Sequence, residues 1–407
     1  MRTAPSDHSV LIIGINYTPE PTGISPYTTG MAEGLAQRGH HVSVVTSYPH
    51  YPWWHVPTAH RSLPRSSEIN GVRVRRLKHY IPRRPNSVRR AAFELAFGLR
   101  AVLTRWDRPD VVVLISPALL ASRILALKAQ LRGIPVVTWV QDIYTLGVGE
   151  ASSGRGARLI ARMERKLADA SARVVVIHER FRRMFLEGIG TASPLDVVRN
   201  WSHVPDISHA ARSETRRAMG WGDDEVIALH AGAMGAKQGL ENVVHAACEA
   251  TKRGSKVKFV LLGDGNQRAH LESLGADPSL EFVDPLPDDR FFSALAAADV
   301  LLANERPGLT EMSVPSKLTT YFATGLPVVA AVDSSSTTHD EILASGAGPV
   351  VPAGDPEALV DAIESLAARP EAAAAHGAAG RAYRAAHLTP SAAIDAFERT
   401  LTQAIVG

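Results

Sequence analysis

The chain has 407 residues, a formal net charge of +3 and one cysteine; the length predicts two domains and the single cysteine excludes an internal disulfide. The N-terminus shows no long apolar stretch before a cleavage site, and no run approaches the roughly 18 apolar residues of a membrane span, which predicts a soluble, cytoplasmic protein. A sequence pI of 9.0 beside so small a net charge makes the placement of positive charge more informative than its sum.

In chain order, Val10 to Ile15 reads as a buried strand. A polar loop follows through Tyr17, Gly23 and Ile24, then a helix from about Pro26 to Arg38 closed by Gly39, and a strand from His41 to Thr46. This is a βαβ opening without the G-x-G-x-x-G fingerprint, which argues against a nicotinamide or flavin enzyme. Gly23 either lets a ligand approach the backbone or serves a bare turn.

Residues 61–110 hold 13 Lys or Arg against 4 acids. From Ser87 the segment turns helical, with Val88, Ala91, Ala92, Leu95, Phe97, Leu99 and Val102 as apolar positions among Arg89, Arg90, Arg100 and Arg105. Such a helix either lies on an anionic membrane surface or turns its apolar face to the core. Nucleic acid is not expected as a partner, because no recognition module accompanies the charge.

Asp110 to Ser116 and Pro135 to Val140 read as buried parallel strands with a helix between them, Ala118 to Leu131. The second runs into Gln141-Asp142, and a strand-end acid faces the crevice of an open sheet. Asp142 is the candidate for positioning a sugar hydroxyl or taking its proton; a loop-fixing role is the alternative. Residues 201–224 are polar with no strong strand signal, and the domain boundary is placed there.

In the second half, the strand Val226 to His230 opens on a small-residue loop, Gly232 to Gly239, containing Met234, Gly235, Lys237 and Gln238. The strand Lys258 to Leu262 closes on Gly263-Asp264-Gly265, and a short strand leads to Pro285-Leu286. Cys248, in an Ala-rich helical stretch, reads as a small core residue. The organising stretch is Glu305 to Ala330: a polar loop ending at Pro315-Ser316-Lys317, a helix to about Thr324, Gly325-Leu326-Pro327 as its stop, and a buried strand. A helix N-terminus at the carboxyl end of a sheet presents unpaired N–H groups and partial positive charge, which suits a phosphate. Ser316 caps that helix or donates its hydroxyl, and Lys317 adds a full charge. No paired Cys, H-E-x-x-H or Asp-x-Asp arrangement is present, so no metal and no other cofactor is expected.

The motifs NYTPEPTGISPYTTGMAEGLAQRGHHVSVVT, WVQDIY, RNW, HAGAMGAKQGLENVV, LLGDG and PSKLTTYFATGLPVVA resemble the family 4 retaining glycosyltransferases, most closely the bacterial colanic-acid, capsule and O-antigen-type group. The resemblance implies an α/β chain of the GT-B fold, with two facing Rossmann-like domains and a crevice between them. It divides the chain into an acceptor-binding domain, 1–203, a nucleotide-sugar-binding domain, 204–385, and a terminal helix, 386–407, packing back on the first. It assigns the donor diphosphate to Gly232, Met234, Gly235, Lys237, Gln238, Ser316, Lys317 and Leu318. The nucleoside falls to Gly263, Asp264, Gly265, Pro285, Leu286, Thr320 and Glu311, and the acceptor side to Gly23, Ile24 and Tyr17, with Asp142 beside it.

Two departures stand out. The wider family carries paired glutamates eight positions apart, where this chain has Met312 and Thr320, leaving Glu305 or Glu311 to compensate at the nucleoside; and Ala233 stands where a basic residue is frequent. The implied reaction is transfer of a sugar with net retention from a nucleotide-diphosphate sugar to a glycan, a polyprenyl-linked saccharide or a small-molecule acceptor, without an enzymic nucleophile. A nucleotide-sugar epimerase and a non-catalytic nucleotide-sugar-binding protein are the alternatives. Peripheral contact of residues 61–110 with the inner membrane face is a further expectation.

Overall fold

The computed structural model describes residues 7–20, 23–84, 86–116, 118–143, 155–202, 204, 207–308 and 316–407. The chain forms two compact units, Met1–Trp201 with Pro390–Gly407, and Ser202–Thr389.

In the first unit, β1 (Ser9–Ile13), β2 (His41–Ser47), β3 (Ser66–Ile69), β4 (Val72–Leu77), β5 (Val111–Ser116), β6 (Val136–Val140), β7 (Arg173–Val176) and β8 (Leu195–Val197) make one sheet in the order β3-β4-β2-β1-β5-β6-β7-β8. Every pairing is parallel except β3 with β4. The chain runs outward from β1 through β2 and β4, then returns to β1's other side as β5, so the order reverses between β1 and β5. β5 and β6 are buried throughout, as the apolar runs VVVLIS and VVTWV require of strands covered on both faces. The helices are α1 (Ser25–Gln37), α2 (Ser87–Val102), α3 (Leu119–Gln130), α4 (Arg155–Asp169) and α5 (Glu179–Met184). Gly98 lets α2 approach α3: a Cβ there would stand 2.9 Å from Ala121 Cα.

The basic segment therefore does not form one surface. Val72 and Val74 point into the core while Arg73 and Arg75 are exposed, and Arg76 is buried, donating to Ser67 Oγ and the Thr18 carbonyl. On α2 the core face is Phe93, Phe97 and Ala101. Of the apolar positions expected there, Phe97 is buried, whereas Val88, Ala92, Leu95 and Leu99 are exposed.

In the second unit, the strands β9 (Val226–Ala231), β10 (Val257–Leu262), β11 (Leu280–Val283), β12 (Val300–Asn304), β13 (Val328–Ala331) and β14 (Val350–Val351) form a parallel sheet in the order β11-β10-β9-β12-β13-β14. Its order reverses between β9 and β12. The helices are α6 (Arg212–Met219), α7 (Glu241–Arg253), α8 (Arg268–Ser273), α9 (Asp288–Ala297), α10 (Ser316–Thr324), α11 (Thr337–Ser345), α12 (Pro356–Ala367) and α13 (Pro370–His387). α6 lies inside the stretch read as linker. Arg212 and Arg216 fasten it to Asp299 at 2.6 and 3.0 Å, and Asp299 also accepts the Ile227 N–H. Two apolar clusters cover the sheet, one including Leu229, Tyr321 and Phe322, the other Leu261, Val329 and Ile363. Each such buried side chain contributes about 1.5–3 kcal/mol.

The last helix, α14 (Pro390–Val406), belongs to the first unit. Phe397 meets Trp139 edge-on at 4.5 Å, and Glu398 accepts a hydrogen bond of 2.8 Å from Arg38. Among the described residues no helix is long and apolar enough to cross a membrane.

Candidate functional site

Ligands of open α/β sheets bind beyond the carboxyl ends of the strands, where the strand order reverses. In the second unit that point lies between β9 and β12, whose last residues are Ala231 and Asn304. Three segments meet there: the loop after β9, the loop after β10 and the start of α10.

The first two are joined through their main chains. Gly232 N–H donates to Leu262 O and Met234 N–H to Asp264 O, both at 2.9 Å, while Gln267 N–H donates to Met234 O at 3.0 Å. The approach is so close that a Cβ on Gly263 would lie 2.0 Å from Gly232 O, and one on Gly265 2.3 Å from Met234 O. Gly263 has φ +141°, a region that side chains of L-residues rarely enter. These glycines are thus required by backbone packing.

Three of the amides expected to face a diphosphate are committed within the protein: those of Gly232 and Met234 as above, and that of Gly235, which donates to Gln238 Oε1 at 3.0 Å. Met234 and Leu318 are also fully buried, so neither side chain reaches a ligand. The rest of the loop is anchored by asparagines. Asn242 donates to Asn304 Oδ1 at 2.9 Å, and Asn304 donates to the carbonyls of Gln238 and Gly239. Arg306 N–H closes the contact on Lys237 O. Lys237 is exposed.

α10 starts at Ser316, so the amides of its first turn have no intrahelical acceptor. Tyr321, one turn in, is buried and accepts the Ala231 N–H at 2.9 Å, binding α10 to the end of β9. Lys317 Nζ lies 3.5 Å from Nε2 of His230, the wholly buried next-to-last residue of β9. Burial holds the Lys317 ammonium down to about 8, against the pull of Glu305. His230 is held well below the usual histidine range by burial first and the Lys317 charge second, with the Ala233 and Leu302 backbones opposing. The pair therefore carries one proton, on lysine, at neutral pH. Glu305 also accepts from Thr338 Oγ1, so this carboxylate faces inward toward Lys317 and Thr338. Thr320 is half-buried on α10; Glu311 lies outside the described residues.

At the other rim, Arg268 donates to Gly263 O at 2.9 Å and pairs with Asp284 at 2.7 Å, next to Pro285 and Leu286. Asp264 is exposed and accepts the Gly265 N–H. His230, Asn304, Asn242 and Arg268 escaped the sequence reading. Polar residues ending the buried runs VIALH and VLLAN were the available signal.

The first unit holds the remaining candidates. Asp142 is exposed beyond β6 and accepts the Ile143 N–H at 2.9 Å. Reduced hydration raises its pKa, while that bond and the Arg90 charge oppose the rise. Gln141 and Asn200 exchange amide hydrogen bonds beside it. Gly23 is exposed with φ +70°, and a Cβ there would stand 3.2 Å from the Tyr51 ring. Ile24 is half-buried at the N-cap of α1. Tyr17, expected on the acceptor side, is 2% exposed, and the carbonyl of the next residue, Thr18, accepts from the buried Arg76.

The loop of Tyr17 is held by Glu20, which is buried. Its carboxylate accepts the His50 and Tyr51 N–H groups at 2.7 and 2.9 Å and the Asn16 amide at 2.8 Å, and lies 3.2 Å from His50 Nδ1. His79, pushed down to about 4 by burial and then by His50, bonds to Ser47 Oγ.

Comparison with known proteins agrees with this architecture. Residues 22–201 match the glycosyl transferase 4-like domain and residues 225–369 the glycosyl transferases group 1 domain. The protein of Escherichia coli K12 named as colanic acid biosynthesis glycosyl transferase WcaI is 31% identical over 333 residues, covering 78% of this chain and 81% of that one. Anabaena HepE, solved in complex with UDP, superposes with TM-score 0.68 at 15% identity over 97% of this chain and 99% of its own. A sucrose-phosphate synthase from Thermosynechococcus elongatus gives 0.65 at 18% identity over 97% and 98%. The chain belongs to the family 4 glycosyltransferases and has the GT-B fold.

Proposed function

We propose that this glycosyltransferase transfers a sugar from a nucleotide-diphosphate sugar to a hydroxyl of a glycan, a lipid-linked saccharide or a small molecule, with retention and without a metal ion. The observation that carries the reading is the largely buried Lys317 ammonium in the first turn of α10, at the point where the second sheet's order reverses. A diphosphate is the ligand that this charge and these amides suit. HepE's complex with UDP supports the donor class.

On this reading Lys317, the α10 amides and Lys237 stabilise the leaving diphosphate. The acceptor hydroxyl attacks from the face that the diphosphate leaves and passes its proton to a diphosphate oxygen. Asp142 orients the acceptor, with Gly23 and Ile24 near it. The exposed Asp264 and the Pro285–Leu286 segment flank the nucleoside, and Thr320 lines it without the family's usual carboxylate. The protein works in the cytoplasm, peripheral on the inner membrane face through its basic segment.

The test is incubation with UDP-, GDP-, dTDP- and ADP-sugars in EDTA, with and without a saccharide acceptor, following the anomeric configuration of the product by NMR. Acceptor-dependent release of nucleotide diphosphate with a retained configuration is expected. An inverted product, or dependence on added divalent ion, contradicts the mechanism. Turnover to an altered sugar without acceptor identifies an epimerase instead.

A further inference from the structure

The loop after β2 presents aromatic rings at the carboxyl end of the first sheet. Glu20 takes the N–H groups of His50 and Tyr51, and Trp54 N–H closes the turn on His50 O at 2.6 Å. Trp54 then has φ +53°, a region that a bulky L-residue enters only where its surroundings hold it. The Trp54 ring is half-buried, 5.9 Å from Phe93 and edge-on to Tyr51 at 6.4 Å. The Tyr51 ring keeps 37% of its residue's surface in solvent. Backbone strain that presents rings beyond the strand ends is more usual at a ligand site than in plain packing.

Arg90, in the first turn of α2, lies over the Trp54 ring, 5.7 Å from its centre. It is exposed. Its charge reaches Asp142 and opposes the rise of that carboxyl, but the two form no ion pair, and among the described residues Arg90 has no acidic partner. An arginine over an indole is held in place while its N–H fork stays available for a carboxylate or phosphate. Gly23, where a Cβ would meet the Tyr51 ring at 3.2 Å, and Asp142 tie this patch to the residues assigned to the acceptor.

We propose that the acceptor is an anionic saccharide, with a sugar ring against Tyr51 and Trp54 and a carboxylate or phosphate of the same molecule on Arg90. A sugar ring offers C–H groups on its face, which suit an aromatic ring, and hydroxyls at its rim, which Asp142 accepts from. A neutral small molecule is the poorer occupant, since it would leave the arginine beside it unused. The inference rests on the transfer reading and narrows its acceptor classes to saccharides that carry negative charge, as uronic acids and sugar phosphates do.

Saturation-transfer NMR of the full chain, without donor, against glucuronate, glucose 1-phosphate and glucose is the experiment. At least one charged sugar is expected to bind about tenfold more tightly than glucose, and the better of the two names the anion. Arg90→Gln should remove that preference, Arg90→Lys should keep part of it, and Tyr51→Ala should weaken charged and neutral sugars alike, about fivefold. Melting of these variants should match the parent, because both altered side chains are exposed. Lys317→Ala should leave the preference intact. No binding, equal binding of the three sugars, or a preference that Arg90→Gln keeps overturns the proposal. So does a preference that Lys317→Ala abolishes, which would place the anion in the second unit. None of these outcomes alters acceptor-dependent release of nucleotide, so the transfer reading stands or falls separately.

Discussion

The carboxyl ends of the two sheets are made of different materials. In the second unit the loops after β9 and β10 meet through their main chains, Gly232 to Leu262 and Met234 to Asp264, with no room for a Cβ on Gly263 or Gly265, and side chains such as Asn304 only brace them from behind. In the first unit the corresponding loops are fastened by buried side chains, with Glu20 alone receiving two backbone amides and an asparagine. Where the backbone sets the shape, side chains such as Lys317 can serve a ligand and be replaced without undoing the loop. Where side chains set the shape, replacing them undoes it. Stability effects should therefore concentrate in the first unit and binding effects in the second, with the second unit's glycines showing both.

The largest expected effect is Glu20→Ala, which removes the acceptor of the buried His50 and Tyr51 amides and of the Asn16 side chain. With about 1–3 kcal/mol for each buried group left unsatisfied, it should cost about 3–5 kcal/mol in urea denaturation, and Glu20→Gln, which keeps the shape, less. An unaltered midpoint for Glu20→Ala would break the comparison. Gly263→Ala comes next. Its Cβ meets a carbonyl oxygen at a φ unsuited to alanine, so about 1–3 kcal/mol of stability should be lost, together with nucleotide binding in a thermal-shift assay. Wild-type melting with retained binding would show that the two loops do not need their close contact.

Smaller effects come from pH. Lys317 titrates near 8 in the fold against 10.5 for an ordinary lysine. Nucleotide-diphosphate affinity should be level below about pH 8 and fall above it, as the ammonium is lost. Stability runs the other way. Between pH 8 and 10.5 the unfolded chain binds more protons at this residue, so its contribution rises with pH. His79, at about 4 in the fold against 6.5, should make the first unit lose stability as pH falls from 6.5 toward 4, again because the unfolded chain binds the proton first. A His79→Asn variant that keeps the parent's acid slope would remove this residue from the account.

Much of the fold was legible because parallel strands buried on both faces write themselves as apolar runs; β5 and β10 fell where Asp110 to Ser116 and Lys258 to Leu262 placed them. β4 was hidden, although Val72 and Val74 alternate with Arg73 and Arg75, because the density of arginine masked a period of two. α2 was legible as a helix, but one list of apolar positions concealed two faces, and only packing separates Phe97 from Leu99. At the candidate site the glycine loops and Lys317 could be read from sequence. Which amides are already committed, and that Lys317 lies beside His230, depend on how β9 and β12 come to be neighbours 72 residues apart, Ala228 beside Val300, and local sequence carries no trace of that.

The central claim is that the diphosphate of the donor sits at the start of α10. Calorimetric titration of UDP, GDP, dTDP and ADP into the wild type and Lys317→Ala, without metal at pH 7, tests it most directly. The account predicts that one nucleotide binds the wild type and that the variant loses about 1.5–3 kcal/mol of its affinity with a melting temperature equal to or above the parent's, since a buried ammonium has been removed. Identical titration curves for the two proteins would contradict it.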